Sequence, residues 1–276
     1  MEVHSVQHLG SGWERDVFLI NDRLVVHFPR YAGVAEGLAR HEAILEFVDS
    51  SVGRAVTVPR ISIWGRASEH FPHAFFGHEV IPGVEADPMD AAAAPELASD
   101  LGEALSRIHA IPAASARELG ISVDLGDCQT AFRDLMRQVD VVNGLEEVVP
   151  ESCEWLLGPP IIPNGYAGPH RFLHNDLHPE HVIVEPGSGR LAGIIDWSGV
   201  ALGDPSVDFS FLLLLHGRKF LDRALAAYGL PIDDEFLNRT IFRARVRGLG
   251  WLVYALHRQA DLARSLREVE NTFSQP

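Results

Sequence analysis

The 276-residue chain carries 38 acidic against 23 basic side chains, a formal net charge of −15, with 46% hydrophobic and 22% charged residues. That length supports a large core divided into two lobes with a cleft between them, and the negative balance argues against a nucleic-acid partner and suits a cationic one. No apolar run reaches bilayer-spanning length, which excludes a membrane-spanning protein; the start Met1-Glu2-Val3-His4 has no secretory signature, and Cys128 and Cys153 have no metal-ligand spacing. The expectation is a monomeric cytoplasmic protein with two reduced thiols, a disulfide between them staying open.

In chain order, Asp16 to Ile20 and Leu24 to Phe28 are β-rich runs joined by Asn21-Asp22-Arg23, a hairpin composition, with Gly10-Ser11-Gly12 just ahead. A helix fits Val34 to Val48 on the spacing of Leu38, Leu45 and Val48, and strand-rich segments follow at Val58 to Ile63 and Phe75 to Ile81. Residues 1–83 thus form a sheet-rich N-terminal lobe. The stretch 84–94, with Pro88 and four consecutive alanines, reads as the connection. From Pro95-Glu96 onward the pattern is helical, with Leu97, Leu101, Leu105 and Ile108 on one stripe before Pro112. Further helices are expected at Gln129 to Val142, Asp208 to Leu215, Phe220 to Tyr228 and Glu235 to Leu266, interrupted by the Gly/Pro-rich stretch Gly158 to Pro169. Residues 95–276 form a mainly helical lobe, and the fold class is a two-lobed α+β architecture.

The stretch carrying chemistry is His174-Asn175-Asp176-Leu177-His178-Pro179-Glu180-His181, then Val182-Ile183-Val184, the turn Glu185 to Arg190, and the run Leu191 to Ile195 ahead of Asp196. In an antiparallel hairpin the start of the first strand lies beside the end of the second, so His181 falls near Asp196, and Asp176 lies on the loop feeding that end. Two carboxylates and an imidazole then converge. Phosphoryl transfer needs such a set, one carboxylate to orient and deprotonate an acceptor hydroxyl and others to hold Mg²⁺ between phosphates; Asp176 suits the first task and Asp196 the second. The plainer alternative is that both aspartates cap backbone N–H groups in turns.

These segments resemble the catalytic and metal-binding loops of the aminoglycoside phosphotransferases, a branch of the protein-kinase-like fold, over Phe172 to Phe211. The resemblance implies an ATP- or GTP-dependent small-molecule kinase with Mg²⁺ as cofactor and a metal ligand five residues after Asp176. That residue is usually Asn; here it is His181. Histidine there resembles the aminoglycoside 2″-phosphotransferases and the macrolide phosphotransferases, which implies that GTP is accepted, although imidazole is a less usual partner for Mg²⁺ than oxygen and a hydrogen-bonding loop histidine is the alternative. Asn175 is similar to the former group and Leu177-His178-Pro179 to the latter. Asp208 is expected to N-cap the run Phe209 to Leu215, and His174 to hold the catalytic loop in shape.

At the nucleotide end, Gly10-Ser11-Gly12 would let backbone amides approach phosphates, or would simply be a tight turn. The family's strand lysine falls at His27, with Glu42 as its helix partner; Glu42 is expected to raise the His27 pKa and favour the cation, so that His27→Lys would tighten nucleotide binding. The purine is implied to lie against the backbone of Phe76 to Ile81, Val80 among them. Candidate carboxylates for a cationic substrate are Asp204, Asp233, Asp234 and Glu235, each otherwise a solvated surface acid, and Trp251 either walls the pocket or packs in the core. The leading expectation is an aminoglycoside kinase; macrolide, cationic peptide antibiotic and metabolite kinases share the plan, and a kinase-like binding protein with impaired transfer is the alternative that His27 raises.

Overall fold

In the computed structural model the described residues are 2–53, 56–86, 95–124, 126–139, 155, 156, 158, 160–258 and 261–273. Cys153, Pro88, the four alanines and the expected helix end at Val142 lie outside them.

The N-terminal sheet has five strands, β1 (Val6–Ser11), β2 (Arg15–Ile20), β3 (Leu24–Pro29), β4 (Ile61–Gly65) and β5 (Phe75–Glu79), in the order β1-β2-β3-β5-β4. The β2–β3 hairpin turns on Asn21 and Asp22, both left-handed with φ of 54° and 51°, and closes through the Arg23 N–H on the Ile20 carbonyl. Asparagine and aspartate tolerate that conformation best after glycine, so the turn is written in these two residues. The helix expected from Val34 to Val48 is two helices, α1 (Ala32–Glu36) and α2 (Leu38–Val52). Gly37 separates them: its N–H closes α1 on the Val34 carbonyl, and glycine is a poor residue for carrying a helix onward.

The segment expected as a plain connection begins with a strand. Val84–Glu85 (β6) pairs with β8 (Val182–Val184), which pairs in turn with β9 (Leu191–Ile194). On the other side of that hairpin the Ile194 N–H reaches the Thr57 carbonyl. Both tethers come from N-terminal residues, so the hairpin joins the lobes.

The helical part contains α3 (Pro95–His109), α4 (Ala113–Glu118), α5 (Cys128–Val139), α6 (Ser206–His216), α7 (Arg218–Ala227), α8 (Phe236–Arg258) and α9 (Leu262–Phe273), with a two-stranded ribbon of β7 (Arg171–Leu173) and β10 (Ala201–Gly203). The helix expected from Glu235 to Leu266 is thus split into α8 and α9. Asp261 restarts it, its carboxylate accepting from the Arg264 N–H at 3.0 Å in the manner of an N-cap. The α3 stripe Leu97, Leu101, Leu105 and Ile108 is fully buried, in one cluster with Phe209, Phe211 and Leu212 of α6 and with Ile44, Leu45 and Val48 of α2. Cys128 is buried as well.

Helices α3 and α7 meet at Gly102, where an added Cβ would lie 2.1 Å from the Ala224 carbonyl oxygen. Alanine gains at most about 1 kcal/mol in helix propensity, whereas overpacking a backbone contact costs about 1–3 kcal/mol. Gly102→Ala is therefore expected to lower the urea unfolding midpoint with an unchanged slope; an equal or higher midpoint would show that the two helices separate freely.

Candidate functional site

The hairpin β8–β9 pairs Val182 with Ile194, and the Ile195 N–H continues the ladder to the His181 carbonyl at 2.9 Å. The side chains just outside the ladder meet: His181 Nε2 lies 3.6 Å from an Asp196 carboxylate oxygen. On the other edge of the imidazole, Nδ1 is 2.7 Å from the Asp176 carbonyl oxygen and 3.6 Å from its carboxylate. A carbonyl only accepts, so Nδ1 carries a hydrogen, and Nε2 is the ring nitrogen that faces Asp196. His178 Nε2 approaches the Asp176 carboxylate at 3.2 Å, and the His178 ring stacks on Trp251 of α8 at 4.7 Å.

Burial raises the Asp176 pKa, but the hydrogen bond from His178 and the nearby His181 and His174 outweigh it and hold the carboxyl below its usual range. Burial likewise opposes ionisation of Asp196, and hydrogen bonds from Ser198 with the charges of His181 and Arg15 reverse it. Both acids are ionised at neutral pH and about two-fifths exposed. Asp196 sits at φ 55° and Asn175 at φ 67°, two left-handed non-glycine positions flanking the site. Such strain persists only where the surroundings over-determine it.

They do. Asp208 does not cap α6, which begins at Ser206; it lies inside the first turn, fully buried, and accepts from the His174 N–H at 2.9 Å, the Asn175 N–H at 2.7 Å and His109 Nε2 at 3.0 Å. Burial disfavours the charge, and the His109 hydrogen bond leads the contacts that keep the Asp208 pKa depressed. His174 plays the expected shaping part: Nδ1 accepts from the Asp176 N–H at 3.3 Å and Nε2 donates to the Ile195 carbonyl at 3.0 Å. One ring thereby ties the residue before Asp196 to the backbone of Asp176.

The nucleotide end departs from expectation. His27 and Glu42 are not partners: Glu42 accepts from Trp64 Nε1 at 3.0 Å, while His27 stacks on Phe76 at 4.7 Å and meets His78 across 3.0 Å between Nε2 atoms. Nδ1 of His78 faces the Glu79 carbonyl at 2.9 Å and so bears the hydrogen, leaving its Nε2 to accept from His27 Nε2–H. Burial, with His78, Arg15 and His41 nearby, lowers the His27 pKa to about 3, and His41 falls to about 4 for the same leading reason. His27 is neutral, the opposite of a lysine substitute. The charge nearby belongs to Arg15 of β2, whose guanidinium lies 5.7 Å from the centroid of the Phe76 ring.

The Val80 N–H is occupied by the Arg23 carbonyl at 2.8 Å, so it is not available to read a base edge. Gly10 and Ser11 lie in β1 opposite Val17 and Asp16, the Gly12 N–H bonds the Arg15 carbonyl, and Ser11 Oγ meets His8. Neither glycine has a left-handed φ or a neighbour that would exclude a Cβ, so internal geometry does not require glycine there.

Asp204 is not a substrate carboxylate. It is 1% exposed and held by Arg239 at 2.7 Å and Arg243 at 3.2 Å. Asp233 is paired with Arg239 as well, at 2.6 Å. Asp234 and Glu235 lie just ahead of α8, whose first residue, Phe236, is about 22 Å along the axis from Trp251 at 1.5 Å per residue, so they sit away from the end of α8 that meets His178. Glu235 lines a separate cavity with Trp155, Phe242 and Arg245. An acid not counted among those candidates is Glu180, on the His174–His181 loop itself, 3.9 Å from His178 and 3.7 Å from Arg264 of α9. Its place in the sequence stretch was visible; its exposure on the Trp251 side was not.

The sequence profile of the phosphotransferase enzyme family, APH, matches residues 5–240. The chain belongs to this family. Among curated proteins it is 34% identical over 91 residues to viomycin phosphotransferase of Streptomyces vinaceus, 32% of this chain and 30% of that protein. It is 29% identical over 131 residues to the uncharacterized protein YcbJ of Bacillus subtilis (strain 168), 46% of this chain and 41% of that one. The matched segments thus span less than half of either relative. Among solved structures, the GDP and kanamycin complex of an APH(2″) enzyme superposes with a TM-score of 0.74 at 21% identity, covering 99% of this chain and 94% of that one. The macrolide 2′-phosphotransferase MphH from Brachybacterium faecium gives 0.65 at 20%, covering 99% and 93%. The fold is the two-lobed, kinase-like α+β plan expected from the sequence.

The buried histidines give a pH dependence. An unfolded histidine takes up a proton below about 6.5, whereas His27 resists until about 3, so the unfolded chain binds more protons and stability falls as pH drops through that window. Between about pH 7 and pH 5 the loss is about 2 kcal/mol for such a residue. His27→Phe keeps a ring on Phe76 without a titrating group, and urea unfolding at the two pH values is expected to show a correspondingly smaller loss; an unchanged loss would mean that His27 is protonated in the folded state.

Proposed function

We propose that the chain transfers the γ-phosphoryl group of ATP or GTP to a hydroxyl of a small cationic molecule, with an aminoglycoside antibiotic as first candidate. The observation that carries this reading is the gathering of Asp176, His181 and Asp196 at one end of a hairpin in a chain of the phosphotransferase family. Asp176, ionised and reachable from solvent, orients the acceptor hydroxyl and takes its proton. His178, stacked on Trp251, forms the wall against which the acceptor ring lies.

The donor set suits a divalent cation. The Asp196 carboxylate and Nε2 of His181 face each other 3.6 Å apart, so a cation between them would find an oxygen and a nitrogen ligand together. Among the described residues no group of three or more His, Cys, Asp or Glu gathers into a metal site. Mg²⁺ usually takes one or two protein ligands and fills its octahedron with phosphate oxygens and water, so Asp196 with His181 would suffice to hold it. Bound there, Mg²⁺ would neutralise charge on the transferring phosphates.

Support for the substrate class comes from the relatives and from charge. One relative phosphorylates viomycin by name, structural neighbours hold kanamycin or streptomycin with GDP or ATP, and this chain has a net charge of −15. No helix among the described residues is long and apolar enough to cross a membrane. A second reading, a kinase-like binding protein with impaired transfer, is favoured by the neutral His27 at the family's lysine position.

The test is release of nucleoside diphosphate with Mg²⁺ and ATP or GTP across a panel of aminoglycosides, macrolides, cationic peptide antibiotics and amino-alcohol metabolites. Release with a polyamine sugar is the expected result, and Asp176→Asn should lower it by about 10²–10⁴-fold with little change in melting temperature. Nucleotide binding without release for any compound would favour the second reading, and full turnover in Asp176→Asn would remove it as the base.

A further inference from the structure

A phosphotransferase needs a cation on the nucleotide phosphates besides the metal, and His27 does not supply one. We infer that Arg15, on the neighbouring strand, is the phosphate-holding cation of this chain. The inference rests on the phosphotransferase reading and deepens it.

Four observations converge on this residue. The β2–β3 register sets Val17 opposite His27 and Arg15 opposite Pro29, so Arg15 projects from the same sheet face as His27, two residues closer to the β1–β2 turn. Its side chain is 14% exposed, and its Nε is a buried polar atom without a hydrogen-bond partner among the described residues. The ion pair it makes, with the half-exposed neighbour Glu14 at 3.8 Å, is too long and too wet to account for placing a guanidinium there. Finally, its charge is felt by the rings beside it, helping to lower the pKa of His27 and His41.

A buried donor left unsatisfied costs about 1–3 kcal/mol, and native chains rarely leave one without use. A bound polyphosphate satisfies this one. The guanidinium fork matches two phosphate oxygens at once, and Phe76, beneath it at 5.7 Å, holds its plane. Asp196 lies across the cleft on the metal side, so phosphates between Arg15 and Asp196 would be held by a cation from each lobe. The neutral histidines then make sense as packing: a lysine at 27 would set a second charge beside Arg15, whereas a neutral imidazole stacked on Phe76 leaves Arg15 as the charge on that face.

The experiment is calorimetric titration of the full chain with ADP, GDP, adenosine and guanosine in Mg²⁺, for wild type, Arg15→Met, Arg15→Lys and the double variant Arg15→Met/His27→Lys. Arg15→Met is expected to weaken the diphosphates by about tenfold or more and to leave the nucleosides unchanged, since the contact is to phosphate. The ligand-free melting temperature should hold or rise, because an unsatisfied buried donor is gone. Arg15→Lys should recover part of the affinity, and His27→Lys should restore binding in the Arg15→Met background by returning the cation to β3. Unchanged diphosphate affinity in Arg15→Met, beside a wild type that binds, would overturn the role of Arg15 alone; equal weakening of nucleosides and diphosphates would overturn it too, by marking Arg15 as structural. A wild type that binds no nucleotide would overturn the phosphotransferase reading, and the role of Arg15 with it.

Discussion

The site hangs on one buried charge. Asp208 lies in the first turn of α6, without solvent contact, and its carboxylate receives two consecutive backbone N–H groups of the catalytic loop together with the His109 ring from α3. A carboxylate in that setting is costly unless its donors are in place, and removing one partner of a buried pair costs about 3–5 kcal/mol. The loop therefore cannot leave α6 cheaply. Through His174 the constraint reaches further, since that ring joins the Asp176 amide to the Ile195 carbonyl beside Asp196. The left-handed backbone at Asn175 and Asp196 is the local cost of this arrangement, and the two residues are of the types that bear it best.

Charge in the cleft is divided between the lobes. The hairpin side carries Asp176 and Asp196, both ionised, with Glu180 beyond them. The N-terminal side presents rings, His27 and His78 of the sheet and His41 of α2, all pushed toward the neutral form by burial, with the Arg15 guanidinium near His27 and His41. A polyphosphate entering between these faces meets carboxylates on one side, which need a metal to accept it, and Arg15 on the other. The same acidic face suits a polycationic acceptor. A second polar network, in which Arg239 joins Asp204 to Asp233 and Arg243 also reaches Asp204 and Ser206, fixes the start of α8 against the loop that precedes α6.

Much of this was legible in the sequence because it is local. The β8–β9 hairpin could be read from two apolar runs and a Gly-rich turn, and the meeting of His181 with Asp196 follows from antiparallel register alone. The α8–α9 break was missed, because the apolar spacing ran through it and concealed the stop that Asp261 marks as an N-cap residue. What else escaped is long-range. Asp204 looked like a surface acid because its arginines lie 35 and 39 residues downstream. Asp208 looked like a cap because a helix-starting aspartate usually is one, and nothing local announced the loop amides 33 and 34 residues upstream. Glu42 was matched to His27 by strand and helix order, yet helical phase turned it to Trp64 instead. Arg15 was passed over because the cation was sought on one strand, whereas side chains two residues apart on adjacent strands share a face.

The central claim is that the hairpin end is where a metal-bound nucleotide sits, with Asp196 as the ligand. The most direct measurement is the affinity for ADP and GDP with and without Mg²⁺, in wild type and in Asp196→Ala. Mg²⁺ should strengthen wild-type binding by about tenfold or more, and Asp196→Ala should lose that gain while keeping its metal-free affinity. A gain from Mg²⁺ that persists undiminished in Asp196→Ala would contradict the assignment and put the metal elsewhere.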